Sequence, residues 1–396
     1  MKHRQYDIVI AGGGASGIVA AMCAKKAAPA LKIIIIEKKD SLGRKLRATG
    51  NGRCNLSNIQ SKDYQETLAF FETWGIRCRI DHEGRIYPFN ESAADFLAVL
   101  TTWIKQLKIE VVLNSTIKEI EQSKNGYILK TEDTIFHTKK VLMAMGGKAG
   151  PAFGSTGEGL TFARNLGHTI ITPFPILTAV EIQNPEKNLA GVRSKGCVTL
   201  IQGQQVVFTE KGEIQFTAYG LSGICIFNLT RFLKVEKPQT FKDYTIELAF
   251  YGQDDMQNYL EKQYRENPHN QVHNLMRGIL KEKVSSTLLK RANIRPEKAV
   301  GKLNASEIKK MSYLVSHFVC KPTGVKGWQQ AQCTAGGVAL KDIDLKTMAS
   351  KKCDGLYFSG EITEFGGPCG GFNLDFAWQT GIRAGQNMVK AIKEKI

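Results

Sequence analysis

No stretch of this sequence stays apolar for the roughly twenty residues that a membrane-spanning helix needs, so the expectation is a soluble protein. Disulfide and metal chemistry have equally little to rest on. The nine cysteines form no CxxC pair and no paired metal-ligand spacing, and without a secretory context they read as free thiols of a reducing compartment. The opening residues, MKHRQYDIVI, enter an apolar strand almost at once and leave no room for a signal peptide, which points to a cytoplasmic location. Low-complexity tracts, internal repeats, nucleic-acid recognition motifs and Ser/His/Asp constellations are lacking too. Acidic residues are comparatively scarce: 54 Lys and Arg stand against 37 Asp and Glu, a formal charge of +17. The basic residues are scattered and interleaved with acids, as on a solvated surface. They suit steering of anionic dinucleotides or acidic substrates better than recognition of nucleic acid.

What is present begins at Tyr6. From there to Lys38 run an apolar strand, a glycine-rich turn, an alanine-rich helix and a second apolar strand that ends in an acid, the order of a dinucleotide-binding βαβ unit. Gly12, Gly14 and Gly17 fill the GxGxxG positions: tight turn, close approach of backbone to pyrophosphate, and close packing of helix on strand. The free N–H groups and dipole of the helix start then face a diphosphate. Glu37, about twenty residues past the last glycine, is placed to accept hydrogen bonds from ribose hydroxyls.

Leu42 to Asn58, LGRKLRATGNGRCNLSN, carries too many glycines and polar residues for a helix or strand and is expected as a shaped loop. Arg44, Lys45 and Arg53 would neutralise phosphate there, with Gly50 and Gly52 presenting backbone N–H groups. Amphipathic helices are expected over Tyr64–Gly75 and Ser92–Leu107, with Phe70, Phe71, Trp74 and Trp103 in the core. A further strand, KKVLMAM, runs into the glycine clusters of GGKAGPAFGSTGEG. Short alternating strands follow between Leu177 and Phe250, with Lys211-Gly212 as the hairpin turn. A polar helical stretch spans Asp254–Phe318, with a helix start at Asn304 or Ser306.

The C-terminal stretch, GLYFSGEITEFGGPCGGFNLDFAWQTG, separates FAD from NAD. A strand ends near Glu361, and a glycine-rich turn opens a helix near Phe372 or Asn373. Such a helix N-terminus can face a flavin pyrimidine edge and favour the reduced, anionic ring; a simple NAD dehydrogenase needs no such element.

Several long motifs in fixed order, IAGGGASG, GRKLRATGNGRCNLSN, MGGKAGPAFGSTGEG, FTAYGLSG, TAGGV and SGEITEFGGPCGGFNLDFAWQTG, resemble the BaiN-like family of FAD-dependent oxidoreductases, to which aminoacetone oxidases are similar. The resemblance covers nearly the whole chain. It implies an α/β fold: a Rossmann-like, glutathione-reductase-like FAD-binding domain from 1–175 and 320–396, interrupted by a β-barrel-like, β-rich insert at 176–252 and a small helical insert at 253–319. Carried over by residue, it puts Gly12, Gly13, Gly14, Ala15, Ser16 and Gly17 on the diphosphate of a non-covalent FAD, with Glu37 and Lys38 at the adenosine ribose. Lys45, Gly52, Arg53, Cys54 and Asn55 would line the way to the flavin. Gly146 and Gly147 would close over the cofactor, and Gly360, Glu361, Gly371, Phe372, Asn373 and Leu374 would hold ribityl chain and ring. Glu364 stands where many relatives carry aspartate and is left unassigned.

With no second GxGxxG unit and no CxxC pair, the chain lacks the NADPH domain and redox pair of disulfide reductases. Any NAD(P)H must act as a transient reductant. The expected chemistry is hydride transfer through flavin N5, NAD(P)H-linked, to an unsaturated or carbonyl small molecule. An amine-type oxidase using dioxygen and a non-catalytic flavin-binding or RNA-associated protein are the alternatives. None of the seven histidines lies in the loop after Glu37 to anchor a flavin, and His168 reads as structural. Cys54 and Cys369 fall inside cofactor motifs, in roles that packing suffices to explain. Tyr219 and Ser222 are the candidates for substrate-side proton donor and polar contact.

Overall fold

The structure, a computed structural model, describes residues 1–233 and 238–394. It divides into two compact units, Met1–Ile176 with Trp328–Ile396 and Leu177–Gly327. In the first unit, β1 (Lys2–Ala11), α1 (Ala15–Ala27) and β2 (Ile33–Ile36) form the βαβ unit read from the sequence. β1 lies in parallel between β2 and the strand Thr134–Met143. The strands Glu110–Val112 and Leu356–Phe358 extend the parallel part of this seven-stranded sheet, and the antiparallel hairpin Glu119–Ser123 with Gly126–Lys130 completes it. All four isoleucines of β2 are buried. An uninterrupted apolar strand of this kind is what a parallel sheet covered on both faces requires.

The C-terminal helix, Phe372–Lys393, packs along α1 through two glycines. A Cβ on Gly381 would stand 2.4 Å from the Ser16 carbonyl oxygen, and one on Gly385 2.4 Å from that of Ala20. The two glycines lie four residues apart, hence on one helix face, and they let the helices meet backbone to backbone. Nearer the start of the same helix Trp378, fully buried, meets the rings of Phe71 and Phe96 at 5.1 and 5.9 Å. Burying such a cluster stabilises the unit by several kcal/mol.

The second unit has its own seven-stranded antiparallel sheet, in the order Phe318–Cys320, Tyr244–Ala249, Arg193–Gln202, Gln205–Thr217, Gly220–Ser222, Val180–Ile182, Pro322–Val325. Helices Gln253–Glu266, Val272–Arg277, Glu282–Ala292 and Ala305–Ser316 belong to the same unit. The last begins at Asn304 with a full capping box to Glu307, which satisfies two helix-end donors at once.

Three expectations need correction. The first-unit chain resumes at Trp328 rather than at 320, because Phe318–Cys320 and Pro322–Val325 pair into the insert's sheet. The hairpin turn is at Gly203-Gln204, since Gln202 pairs with Gln205, and Lys211-Gly212 lies mid-strand opposite Cys197 and Gly196. Gly212 serves proximity there: a Cβ would reach Cys225 at 3.2 Å. Finally, the shaped loop after β2 contains a short helix, Arg44–Ala48, entered through Gly43 at φ 65°, and a tight turn at Thr49–Gly52.

Candidate functional site

The glycine turn is specified by backbone contacts. Gly12 has φ +107°, and a Cβ there would lie 2.5 Å from the Ala144 carbonyl oxygen; a Cβ on Gly17 would lie 2.1 Å from the Gly12 carbonyl. No other residue fits either position without moving main chain. Gly14 differs: its Cβ would meet nothing within 4 Å. Gly14 is also the N-cap of α1, which has no side-chain cap and no acid in its first turn. Open space before an uncapped helix start, with the N–H groups of Ala15 and Ser16 at its rim, suits an anion. Glu37 is held beside it, accepting from the Gly13 N–H at 2.8 Å and from the Lys39 N–H at 2.9 Å, and its oxygens keep lone pairs for a ribose hydroxyl. Lys38 turns away to Thr156 and Glu158, at 2.8 and 2.6 Å.

A second cluster is knitted from four chain segments. Lys45 Nζ donates to Glu361 Oε2 at 2.6 Å and to the Ala149 carbonyl at 3.0 Å. Glu361 Oε1 accepts from the Thr334 N–H at 2.9 Å, and Thr334 Oγ1 accepts from the N–H groups of Lys148 and Ala149 at 2.8 and 3.0 Å. Gly147 fits only without a side chain, since a Cβ would lie 2.3 Å from Thr334 Oγ1. Gly146 turns the chain at φ +70°. Gly360 at φ +71° brings its backbone against Ser16, where a Cβ would meet Oγ at 2.8 Å, so the nucleotide turn and the Gly360-Glu361 corner are adjacent. Lys45 thus spends its charge on Glu361.

The third cluster sits at the start of the C-terminal helix. Gly371, at φ +102°, is its N-cap, again without a side-chain cap. A Cβ on Gly371 would fall 2.3 Å from the Ser57 carbonyl and 2.8 Å from Asn55 Oδ1. Phe372 opens the helix and Leu374 is half-buried. Asn373 braces the preceding turn, accepting from the Gly367 N–H at 2.9 Å and donating to the carbonyls of Gly367 and Pro368 at 3.0 and 3.1 Å. Asp375, which sequence reasoning missed, is buried and accepts from Ser57 Oγ at 2.7 Å, from Thr67 Oγ1 at 2.6 Å and from Ser61. Trp378 Nε1 donates to the Leu56 carbonyl at 3.0 Å. These bonds fix the loop that carries Asn55 to the helix start. The only sequence signal for Asp375 was an acid in a first helical turn, which usually means no more than dipole compensation.

Gly52 and Arg53 are exposed, and Arg53 lies over the Tyr87 ring at 5.0 Å and 3.9 Å from Glu91. Cys54 is fully buried at φ +60°, and burial pushes its thiol up to about 12; it is a packed, inert group. Burial likewise raises the thiol of Cys333, which feels the charges of Glu361 and Lys45 and the thiol of Cys369. Among the described residues no two cysteines are joined in a disulfide. His168 is structural: it is buried between the Ala163 carbonyl and Ser350 Oγ, at 3.1 and 2.7 Å, and burial lowers its pKa. Tyr219 and Ser222 belong to the second unit. Lys326 Nζ stands 3.9 Å from the Tyr219 ring centre, and Lys326 pairs with Glu181 at 2.7 Å. Ser222 pairs with Gln215 in the sheet. Among the described residues no group of side chains could hold a metal ion, and no helix is long and apolar enough to cross a membrane.

The first-unit residues fit a flavin dinucleotide. The open cradle at Gly14 and the uncapped helix start suit its diphosphate. Asn55 Oδ1 and Ser359 Oγ are buried without a hydrogen-bond partner among the described residues, a costly arrangement unless a ligand supplies one.

The family profile described as HI0933-like protein Rossmann domain matches residues 59–387. The chain belongs to this family. It is 32% identical, over 96% of its own length and 98% of the relative's, to the 3-dehydro-bile acid delta(4,6)-reductase of Clostridium scindens. It is 24% identical, over 98% of its own length and 99% of the relative's, to the ribosomal RNA dihydrouridine synthase of Escherichia coli. Among solved structures it is similar to the 3-ketosteroid-delta4-(5alpha)-dehydrogenase of Rhodococcus jostii in complex with 4-androstene-3,17-dione, with a TM-score of 0.52, 13% identity, and coverage of 98% of this chain and 97% of that one. At that identity the likeness speaks for the fold. Family and relatives make the protein an FAD-dependent oxidoreductase.

Proposed function

We propose that the protein is a reductase of a carbon–carbon double bond conjugated to a carbonyl, with NAD(P)H as the source of electrons and a small enone-like molecule as substrate. The observation that carries this reading is the full-length relationship to a bile acid delta(4,6)-reductase at 32% identity, on a chain whose dinucleotide turn, Glu37 and C-terminal helix start are intact. Bound FAD would supply the two-electron chemistry. The chain's own residues bind and orient. Ala15 and Ser16 offer backbone N–H groups to the diphosphate, and Glu37 accepts from the adenosine ribose. Asn55 accepts a cofactor N–H, and the uncapped start of the C-terminal helix lends partial positive charge where the ring's pyrimidine edge would gain negative charge.

Reduction of an enone adds a hydride at the carbon β to the carbonyl and a proton at the α carbon. Tyr219 is our choice for that proton, since a phenol hydroxyl can act as a general acid in alkene reduction. In an anaerobic test, enzyme reduced with NADPH or NADH and mixed with a steroid 4,6-dien-3-one should return product carrying two more hydrogens. Tyr219→Phe should slow that return by at least about tenfold and leave reduction by the nicotinamide unchanged. Peroxide formed from an amine, with no enone turnover, would sink the reading in favour of an oxidase.

A second substrate class has specific support. Two relatives, at 24% and 22% identity over nearly their whole lengths, are ribosomal RNA dihydrouridine synthases, and the chain carries a formal charge of +17. Uracil is itself an α,β-unsaturated carbonyl, so the same chemistry would act on it. Salt-sensitive RNA binding with gain of two hydrogens on uridine distinguishes this case.

A further inference from the structure

The second unit holds a cavity of about 330 Å³ that no part of the flavin reading uses. Its wall includes Glu186, Phe216, Arg291, Phe318, Cys320 and Lys321. The floor is apolar and rigid: Phe216, Phe318 and Cys320 are buried, and the two rings meet edge to face at 6.0 Å. Above it Arg291, from the helix Glu282–Ala292, lays its guanidinium 3.7 Å from the centre of the Phe318 ring. Its Nε donates to Glu186 Oε1 at 3.0 Å. One helical turn away, Thr287 Oγ1 accepts from Asn188 Nδ2 at 2.7 Å, so the segment that carries Glu186 is pinned to this helix at two points. The Gln183 N–H donates to the Lys321 carbonyl at 2.8 Å and closes the other side.

This arrangement has the parts of a built site. Stacking on Phe318 and the single bond from Nε to Glu186 fix the guanidinium plane, and Nη1 and Nη2 remain as a two-pronged donor. A pre-set fork of this kind matches a carboxylate. Glu186 offsets Arg291 in the wall and the Lys321 ammonium is engaged by Thr245 Oγ1 at 2.6 Å, so attraction of a carboxylate rests on the Arg291 fork. The volume lies near the lower end of the roughly 300–1,000 Å³ common for small-molecule pockets, enough for one or two rings.

We propose that this cavity binds a small aromatic carboxylate, its carboxylate on Arg291 and its ring against the half-buried apolar wall at Ile182 and Pro185. The site does not depend on the identity of the flavin substrate.

Fluorine NMR titration of the full, FAD-loaded chain tests this, with para-trifluoromethylbenzoate as probe and para-trifluoromethylbenzamide as its neutral counterpart. The benzoate should bind saturably and the benzamide at least about tenfold more weakly, a difference of about 1.4 kcal/mol. Arg291→Gln should weaken the benzoate at least about tenfold. Glu186→Gln, which keeps an amide oxygen to accept from Nε but removes the opposing charge, should strengthen it severalfold. No saturable binding, equal affinity for benzoate and benzamide, or unchanged binding in Arg291→Gln would overturn the proposal. If Arg291→Gln fails to fold, as its circular dichroism would show, the benzamide comparison and the sign of the Glu186→Gln effect decide instead.

Discussion

At the scale of single residues, glycines in one motif do different work. Gly12 and Gly17 are demanded by neighbouring backbone, whereas Gly14 faces open space at an ordinary φ of −80°. A methyl group at Gly14 therefore disturbs the fold little and obstructs only what enters the cradle. Gly14→Ala should leave the thermal midpoint within a few degrees, since replacing an N-cap glycine costs at most about 1 kcal/mol. It should weaken FAD at least about tenfold, measured by fluorescence titration of the apoprotein. Gly12→Ala, by contrast, should lose stability and cofactor together. The motif spacing made all three glycines legible in the sequence. Only the structure separates the one that shapes the turn from the one that makes room.

At the scale of elements, the βαβ unit and the C-terminal helix could be read from apolar runs and glycine punctuation, because their patterns are local. Less legible were contacts between segments far apart in sequence. Nothing near Lys45 announces Glu361 as its partner, and nothing near Asp375 announces Ser57, Ser61 and Thr67. The Lys211-Gly212 turn failed for a related reason: a glycine that admits Cys225 looks, in one dimension, like a glycine that turns the chain. Asp375 gives this long-range bonding a test. Asp375→Asn keeps the shape but puts an amide nitrogen where an oxygen accepted a hydroxyl, so it should cost about 2–4 kcal/mol of unfolding free energy, read from urea midpoints. Because Ser57 and Asn55 share a loop, FAD affinity should fall with it. Ser61→Ala, which removes one donor of three, should cost less than Asp375→Asn.

Across the molecule, acid should act through Asp342 and His168. Burial works to raise the Asp342 carboxyl, but bonds from Lys352 and Thr169 and the Lys352 charge bring it down to about 2, below its ordinary 3.8. A depressed carboxyl contributes stability above its unfolded pKa and loses it as pH falls through the folded one. This contribution, on the order of 1–2 kcal/mol after allowance for the half-exposed lysine, is therefore lost between about pH 4 and pH 2. His168 adds to the acid sensitivity from higher pH. Its folded pKa is lowered from 6.5 by burial, so protonation favours the unfolded chain as pH drops below about 6.5. Thermal midpoints followed from pH 7 downwards should fall in both ranges, and Asp342→Asn should flatten the lower one.

The most direct test of the whole assignment is a visible absorption spectrum of the purified protein, repeated anaerobically after addition of NADH and then NADPH. An FAD band that bleaches within seconds with one of them, and returns when a conjugated enone is added, is the expected result. Absence of any flavin band after reconstitution with FAD would contradict the assignment at its root, and a band that ignores both nicotinamides would contradict the reductase.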